Sequence, residues 1–137
     1  MLEKLTQATI WVHDQDEALD FYTRKLGMEV REDVTFAEMG NYRWLTVGPT
    51  RQPDVSFILT VPSPPVIDGD LARQLTDFIA KGVIGSFHFS TDDCQATYLE
   101  LKERGVDFIM EPTEMPYGID AQFHDPSGNK LRFTQTR

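Results

Sequence analysis

The sequence predicts an α+β domain made of two βαβββ modules, each forming a curved mixed sheet. The first observation is order: a strand, a capped helix, a glycine stop and three more strands occur twice in the same succession. The second is a spacing of 78 residues that separates three matching pairs: Asp14 and Asp92, Ala18 and Ala96, Gly27 and Gly105. The third is length, since 137 residues fit one domain with a real core.

The first module is predicted over residues 1–61. Polar and apolar residues alternate over 5–12, which is typical of a strand. Asp14 or Asp16 caps the helix that follows, and Gly27 is expected to end it in a left-handed conformation. The three remaining strands are predicted over these ranges: 29–34, 43–47 and 55–61.

A linker with its own helix is predicted over residues 62–82, and the second module over 83–137. The linker opens on Pro62-Ser63-Pro64-Pro65 and becomes helical in period from Asp68 to Lys81. The second module then predicts these elements: a strand over 84–90, a helix over 93–104 that ends at Gly105, and strands over 106–110, 119–123 and 130–135.

Charge and composition exclude several classes of partner. The formal net charge is −9, whereas nucleic-acid binding needs clustered Lys and Arg. No apolar run approaches the ~20 residues of a membrane span. A single cysteine, Cys94, excludes an intrachain disulfide and a multi-cysteine zinc site. The N-terminus has no signal-peptide pattern, so a cytoplasmic location is expected.

Several short segments resemble the vicinal oxygen chelate superfamily of glyoxalases, bleomycin-resistance proteins and extradiol dioxygenases. The most specific is Asp125-Pro126-Ser127-Gly128-Asn129 before the last strand, which by itself is a good hairpin turn. The other matching segments are 12–14, 21–22, 26–30, 91–93, 101–106 and 117–118. The resemblance implies the two-module glyoxalase/bleomycin-resistance/dioxygenase fold over nearly the whole chain. It does not by itself imply one activity, because members of this superfamily isomerise, oxygenate or only bind.

Metal-dependent members hold a divalent ion through His, Gln and Glu on the first and last strand of each module. By the resemblance these positions fall on Gln7, Thr60, Ser86 (or Gly85) and Arg132. Hydroxyl groups are weak ligands for such ions, and the arginine cation has no lone pair to give. The prediction is therefore a site without a metal.

The alternative is a metal-dependent lyase, isomerase or dioxygenase of the same superfamily. It would use Fe, Mn, Ni or Zn and rest on Gln7 with His88, which shares the face of Ser86, and a substrate or a partner chain would complete the metal shell. One histidine and one glutamine fall short of the usual three protein ligands. No catalytic residue is assigned on either interpretation, and enzymatic activity is left open.

We therefore expect a binding protein of the bleomycin-resistance type, which sequesters an aromatic or amphipathic small molecule such as an antibiotic. Tryptophan, methionine and a few polar groups suit such a ligand. Residues 110–117 are expected to form a rim or lid, and the resemblance implies a homodimer. The residues predicted to bind the ligand are Gln7, Trp11, Trp44, Ile58, Thr60, Ser86, His88, Met115, Tyr117 and Arg132.

Overall fold

A computed structural model describes all residues from Met1 to Arg137. It divides into two compact units, Met1–Asp77 (unit 1) and Phe78–Arg137 (unit 2), and each contains one four-stranded mixed sheet. The division of the chain into modules joined by residues 62–82 stays a prediction. No helix has both the length and the apolar character needed to cross a membrane.

Unit 1 holds the first βαβββ module. Its elements are β1 (Gln7–Trp11), α1 (Gln15–Asp20), a π-helical turn (Phe21–Lys25), β2 (Glu29–Phe36), a 3-10 turn (Ala37–Met39), β3 (Tyr42–Gly48) and β4 (Ser56–Thr60). The sheet order is β1-β4-β3-β2, with β1 parallel to β4 and the other pairs antiparallel. The linker helix α2 (Gly69–Ala80) follows, close to its predicted range, and runs across the boundary between the units.

Unit 2 repeats the arrangement. Its elements are β5 (Ser86–Ser90), α3 (Cys94–Glu103), β6 (Phe108–Met115), β7 (Gly118–His124) and β8 (Lys130–Thr136). The order β5-β8-β7-β6, with β5 parallel to β8, matches unit 1 strand for strand. The predicted α+β class and both βαβββ successions are therefore confirmed.

The rim or lid expected over residues 110–117 is wrong. Residues 110–115 continue β6 and pair with β7, so they belong to the sheet. Pro112 argued against a strand there, because proline cannot donate to a ladder. β6 is an edge strand, however, and two register shifts interrupt its pairing, so Pro112 is accommodated.

One face of each sheet is covered by the helix of its own module. In unit 1 the buried apolar residues of this layer are Ile10, Val12, Ala18, Phe21, Tyr22, Leu45, Val47 and Leu59. In unit 2, α3 contacts β6, β7 and β8, and Tyr98 packs edge-on against Phe108 with ring centroids 4.7 Å apart. The opposite face of each sheet, here its open face, is not covered by that helix, although Thr46, Thr60 and Asp120 on these faces are buried.

The spacing between the modules changes by one residue within the first helix. Asp14 caps α1 by accepting from the Glu17 amide, whereas in the second module Asp93, and not Asp92, caps α3 through the Ala96 amide. The difference in residue number between equivalent positions is therefore 79 at the helix caps Asp14 and Asp93. It is 78 at Gly27 and Gly105, which end the helices and both have positive φ. The π-helical turn Phe21–Lys25 lies between Asp14 and Gly27, and such a turn accommodates the additional residue of the first module.

Candidate functional site

The open face of the first sheet, here the tryptophan face, carries both tryptophans of the chain. Strand register puts Thr9, Ile58, Thr46 and Glu32 in one row across the four strands. Trp11 pairs with Thr60, and Trp44 with Val34, in the next row. The members of this face are Gln7, Thr9, Trp11, Glu32, Val34, Trp44, Thr46, Ser56, Ile58 and Thr60.

Polar side chains on the tryptophan face bond chiefly to their neighbours. Gln7 Nε2 donates to Ser56 Oγ at 3.3 Å, and Trp44 Nε1 donates to Glu32 Oε1 at 3.1 Å. The Thr46 hydroxyl is buried with no hydrogen-bond partner. Trp11 and Trp44 are half-buried, so each indole has surface available to a ligand.

The open face of the second sheet, here the polar face, is richer in hydrogen-bonding groups. Register aligns His88, Arg132, Gln122 and Met110 in one row, and Ser90, Thr134, Asp120 and Thr113 in the next. Ser86 Oγ and His88 Nε2 lie 3.0 Å apart in a hydrogen bond at the edge strand β5. Met115 is half-buried and pairs with Gly118 at the β6–β7 hairpin.

A buried carboxylate organises the polar face. Asp120 has no exposed surface, and its Oδ2 accepts from Arg132 Nη1 at 3.0 Å and from Tyr117 Oη at 3.0 Å. Its Oδ1 accepts from Thr134 Oγ1 at 2.9 Å. The hydrogen bond to Asp120 raises the pKa of Tyr117, because ionisation would put a phenolate beside the carboxylate. This network fixes Arg132, whose side chain is 28% exposed.

Register also corrects one predicted position. Gln7 begins β1 and Ser86 begins β5, and each pairs with the first residue of the last strand of its module. Ser86, and not Gly85, is therefore the counterpart of Gln7. Two residues further along the first strands, Thr9 pairs with Ile58 of β4 and His88 pairs with Arg132 of β8. Ile58 is therefore the counterpart of Arg132, and Thr60, which was predicted for this position, lies two residues beyond it.

Taken unit by unit, the residues at the corrected positions do not fit a divalent metal ion. Unit 1 presents Gln7 and Ile58, and Ile58 has no donor atom; unit 2 presents Ser86 and Arg132, and Arg132 is a cation paired with Asp120. No group of three or more His, Cys, Asp or Glu side chains is arranged to hold a metal ion. The alternative metal site on His88 and Gln7 stays a prediction, since these residues lie in different units and its remaining ligand would come from a substrate or a partner chain.

The family motif before β8 has a structural role. Asp125 accepts from the backbone amides of Ser127 and Asn129 at 3.0 and 2.9 Å, and from the Asn129 side chain. A Cβ on Gly128 would lie 2.8 Å from the carbonyl oxygens of Ile79 and Ala80. The motif thus forms a tight turn against the end of α2 and sets the start of β8, which carries Arg132.

A surface depression at the start of α2 lies apart from both faces. It is lined by Asp68, Gly69, Asp70, Leu71 and Gln74, none of which was predicted to bind a ligand. The predicted residues fall instead on the two sheet faces, except Tyr117, which lies in the β6–β7 hairpin and reaches Asp120. Sequence analysis missed Asp120 and Glu32, both of which bond to a predicted residue.

Comparisons with known proteins agree with this architecture. The family model described as the Glyoxalase/Bleomycin resistance protein/Dioxygenase superfamily matches residues 4–133. The chain belongs to this superfamily. The resemblance inferred from short motifs is therefore confirmed across almost the entire sequence.

Three relatives show the range of similarity within the superfamily. The crystal structure of UcmS2 is 43% identical and superposes with a TM-score of 0.92, covering 99% of this chain and 100% of that one. TnmS3, an antibiotic binding protein from Streptomyces sp. CB03234, is 28% identical with a TM-score of 0.76, covering 99% and 98%. YurT of Bacillus subtilis (strain 168) is 37% identical over 96% of this chain and 98% of its own length.

Proposed function

We propose that the protein binds and sequesters an aromatic or amphipathic small molecule, such as an antibiotic, without a bound metal ion. The observation that carries the proposal is the pairing of Arg132 with Asp120. Asp120 holds the Arg132 cation, and the resemblance implies that this is a position where metal-dependent members of the superfamily have a ligand. A cation there repels a divalent ion and offers hydrogen bonds to a ligand oxygen instead.

The tryptophan face supports an aromatic ligand. Two half-buried indoles, a half-buried Ile58 and an exposed Val34 give it apolar surface on a largely preformed sheet. Aromatic rings gain about 0.5–1.5 kcal/mol from specific ring contacts in addition to burial of their area.

Similarity to TnmS3 supports the same ligand class. That protein is described as an antibiotic binding protein, and its fold matches this chain over nearly its full length. Sequestration requires shape and polar complementarity and needs no reactive group. The tryptophan face fits this requirement, because its polar side chains bond chiefly to their neighbours. We extend the proposal to a role in antibiotic resistance.

We further propose that the protein is a cytoplasmic homodimer. The edge strand β2 is exposed along most of its length, and Val30 and Val34 are 47% and 45% exposed. Unpaired edges with apolar side chains favour association with a second copy. Light scattering coupled to size-exclusion chromatography tests the dimer, and a monomer at all concentrations contradicts it.

A thermal-shift screen of aromatic antibiotics and metabolites on chelator-treated protein tests the binding proposal. A ligand at 100 times its Kd contributes about 2.7 kcal/mol, which raises the Tm of a chain this size by roughly 5–10 °C. We expect such shifts without metal and expect them to shrink in Trp44→Ala. Stoichiometric Fe, Mn, Ni or Zn in untagged protein, lost with turnover of a glyoxalase-type substrate in Gln7→Ala, contradicts the proposal.

A further inference from the structure

We infer that the polar face selects ligands that carry an oxyanion, with Arg132 as the recognising group and Asp120 as the residue that positions it. The inference rests on the proposed function, because it names the class of ligand that the same protein would bind. Its argument uses only side chains of unit 2.

The carboxylate of Asp120 is not available to a ligand. It has no exposed surface, and its two oxygens accept three hydrogen bonds, from Tyr117, Arg132 and Thr134. A buried carboxylate with both oxygens satisfied is stable only while its donors remain in place. Asp120 therefore acts on a ligand through Arg132 and not by direct contact.

Arg132 is the accessible member of the pair. Its side chain is 28% exposed while that of Asp120 is fully buried, so an approaching ligand meets the guanidinium. The guanidinium has five N–H donors in a planar fork, and it donates to Asp120 through Nη1 and also lies against Tyr117. The remaining donors suit a second oxygen-rich group, and arginine recognises such groups through two parallel hydrogen bonds.

The neighbours of Arg132 fit an aromatic molecule that carries an oxyanion. His88 and Gln122 flank Arg132 in the same row and add N–H donors, while Met110 ends the row with a thioether that packs well on rings. The chain has a formal net charge of −9, which repels anions at long range. Selection for an oxyanion must therefore come from direct contact with this row.

Two dyes with the same aromatic body test the inference. Anilinonaphthalenesulfonate carries a sulfonate, and N-phenylnaphthylamine lacks it. Fluorescence titration of the native protein in chelator gives a Kd for each dye. We expect Arg132→Gln to weaken sulfonate-dye binding by about tenfold or more, the size of one charge-assisted contact, and to change binding of the neutral dye by less than about twofold.

Arg137→Gln is the matched control. Arg137 is an exposed arginine that pairs with Glu114 at the end of the same sheet, so its loss changes net charge equally, and its side chain touches the polar face only at the carbonyl oxygen of Met115. We expect unchanged Kd values for both dyes. An Arg132→Gln variant that lowers neither affinity, or lowers both equally, overturns the inference while leaving the proposed function standing. If neither dye binds the native protein, the proposed function fails as well.

Asp120→Asn separates positioning from simple charge. Removing a negative charge beside Arg132 would by electrostatics alone tighten binding of the sulfonate dye. If Asp120 positions Arg132, the ratio of the two Kd values moves the other way, because the guanidinium is no longer held. Tighter sulfonate-dye binding in Asp120→Asn overturns the positioning role. Thr134→Val, which removes one bond to Asp120 and leaves its charge, serves if Asp120→Asn does not fold, and the same direction is expected with a smaller change.

Discussion

At the scale of single residues, the pairing of Arg132 with the buried Asp120 is the feature that matters most. Arg132 does not stand alone, because Asp120 compensates its charge and links it to Tyr117 and Thr134. The Arg132–Asp120 pair therefore links β7 and β8 through side chains of one sheet.

The network predicts an unusual titration for Tyr117. Its O–H donates to Asp120, so its pKa lies above the ordinary value of about 10. The stabilisation from this bond is therefore fully present below pH ~10 and is lost as pH rises through the raised pKa. We expect Asp120→Asn to lower the pKa of Tyr117 towards its ordinary value. Tyrosinate absorbance, with Tyr117→Phe subtracted, measures it, and an unchanged value in Asp120→Asn contradicts the network.

Face assignments of individual residues were largely predictable, but partners were not. Alternation along β1 and β5 places Trp11 and His88 correctly, because side chains on a strand alternate strictly. Asp120 gave no such signal: an acidic residue in an alternating strand ordinarily faces water. Its burial depends on three donors from β8 and the β6–β7 hairpin, and only the tertiary structure brings these together.

At the scale of elements, the two helices show how one extra residue is accommodated. The offset of 78 residues read from three sequence pairs made Asp92 the counterpart of Asp14, whereas Asp93 occupies that place. The π-helical turn at Phe21–Lys25 absorbs the difference in the first module. The three matching pairs do not reveal this turn, because a constant offset of 78 leaves no place for an additional residue.

The corrected offset makes a direct prediction about the second helix. Asp93 Oδ1 accepts from the Ala96 amide at 2.9 Å, so Asp93→Ala should lower the free energy of unfolding by about 1 kcal/mol. Asp92→Ala, at the neighbouring exposed position, should change it by less than ~0.5 kcal/mol. Urea denaturation measures both values. Equal costs for the two variants, or a larger cost for Asp92→Ala, would contradict the assignment.

The β6–β7 hairpin also shows where sequence patterns fail. Pro112 and Pro116 within 110–117 are typical of a loop, yet residues up to Met115 pair with β7. Gly118 has φ +152°, and a Cβ there would clash with the Gln135 carbonyl oxygen, so the strands approach closely at this point. Edge position and the register shifts in β6, neither visible in a single sequence, reconcile the prolines with a strand.

At the scale of the whole molecule, the chain contains two sheets with the same topology and different open faces. The first presents tryptophan and aliphatic side chains, and the second presents Arg132 with hydrogen-bonding neighbours. The fold and the repeated order were predictable, because apolar periodicity and glycine stops encode them locally. The identity of the ligand was not, since it depends on side chains from several strands.

The most direct test of metal-independent ligand binding is a tryptophan fluorescence titration. Both tryptophans of the chain lie on the tryptophan face, so the intrinsic emission reports on that face alone. The titrant is an aromatic antibiotic that raises the Tm in the screen, added to protein in chelator and to protein with Fe, Mn, Ni or Zn. We predict a saturable change in emission with the same Kd in both conditions. Binding that disappears in chelator and returns with one metal ion per chain would contradict the account.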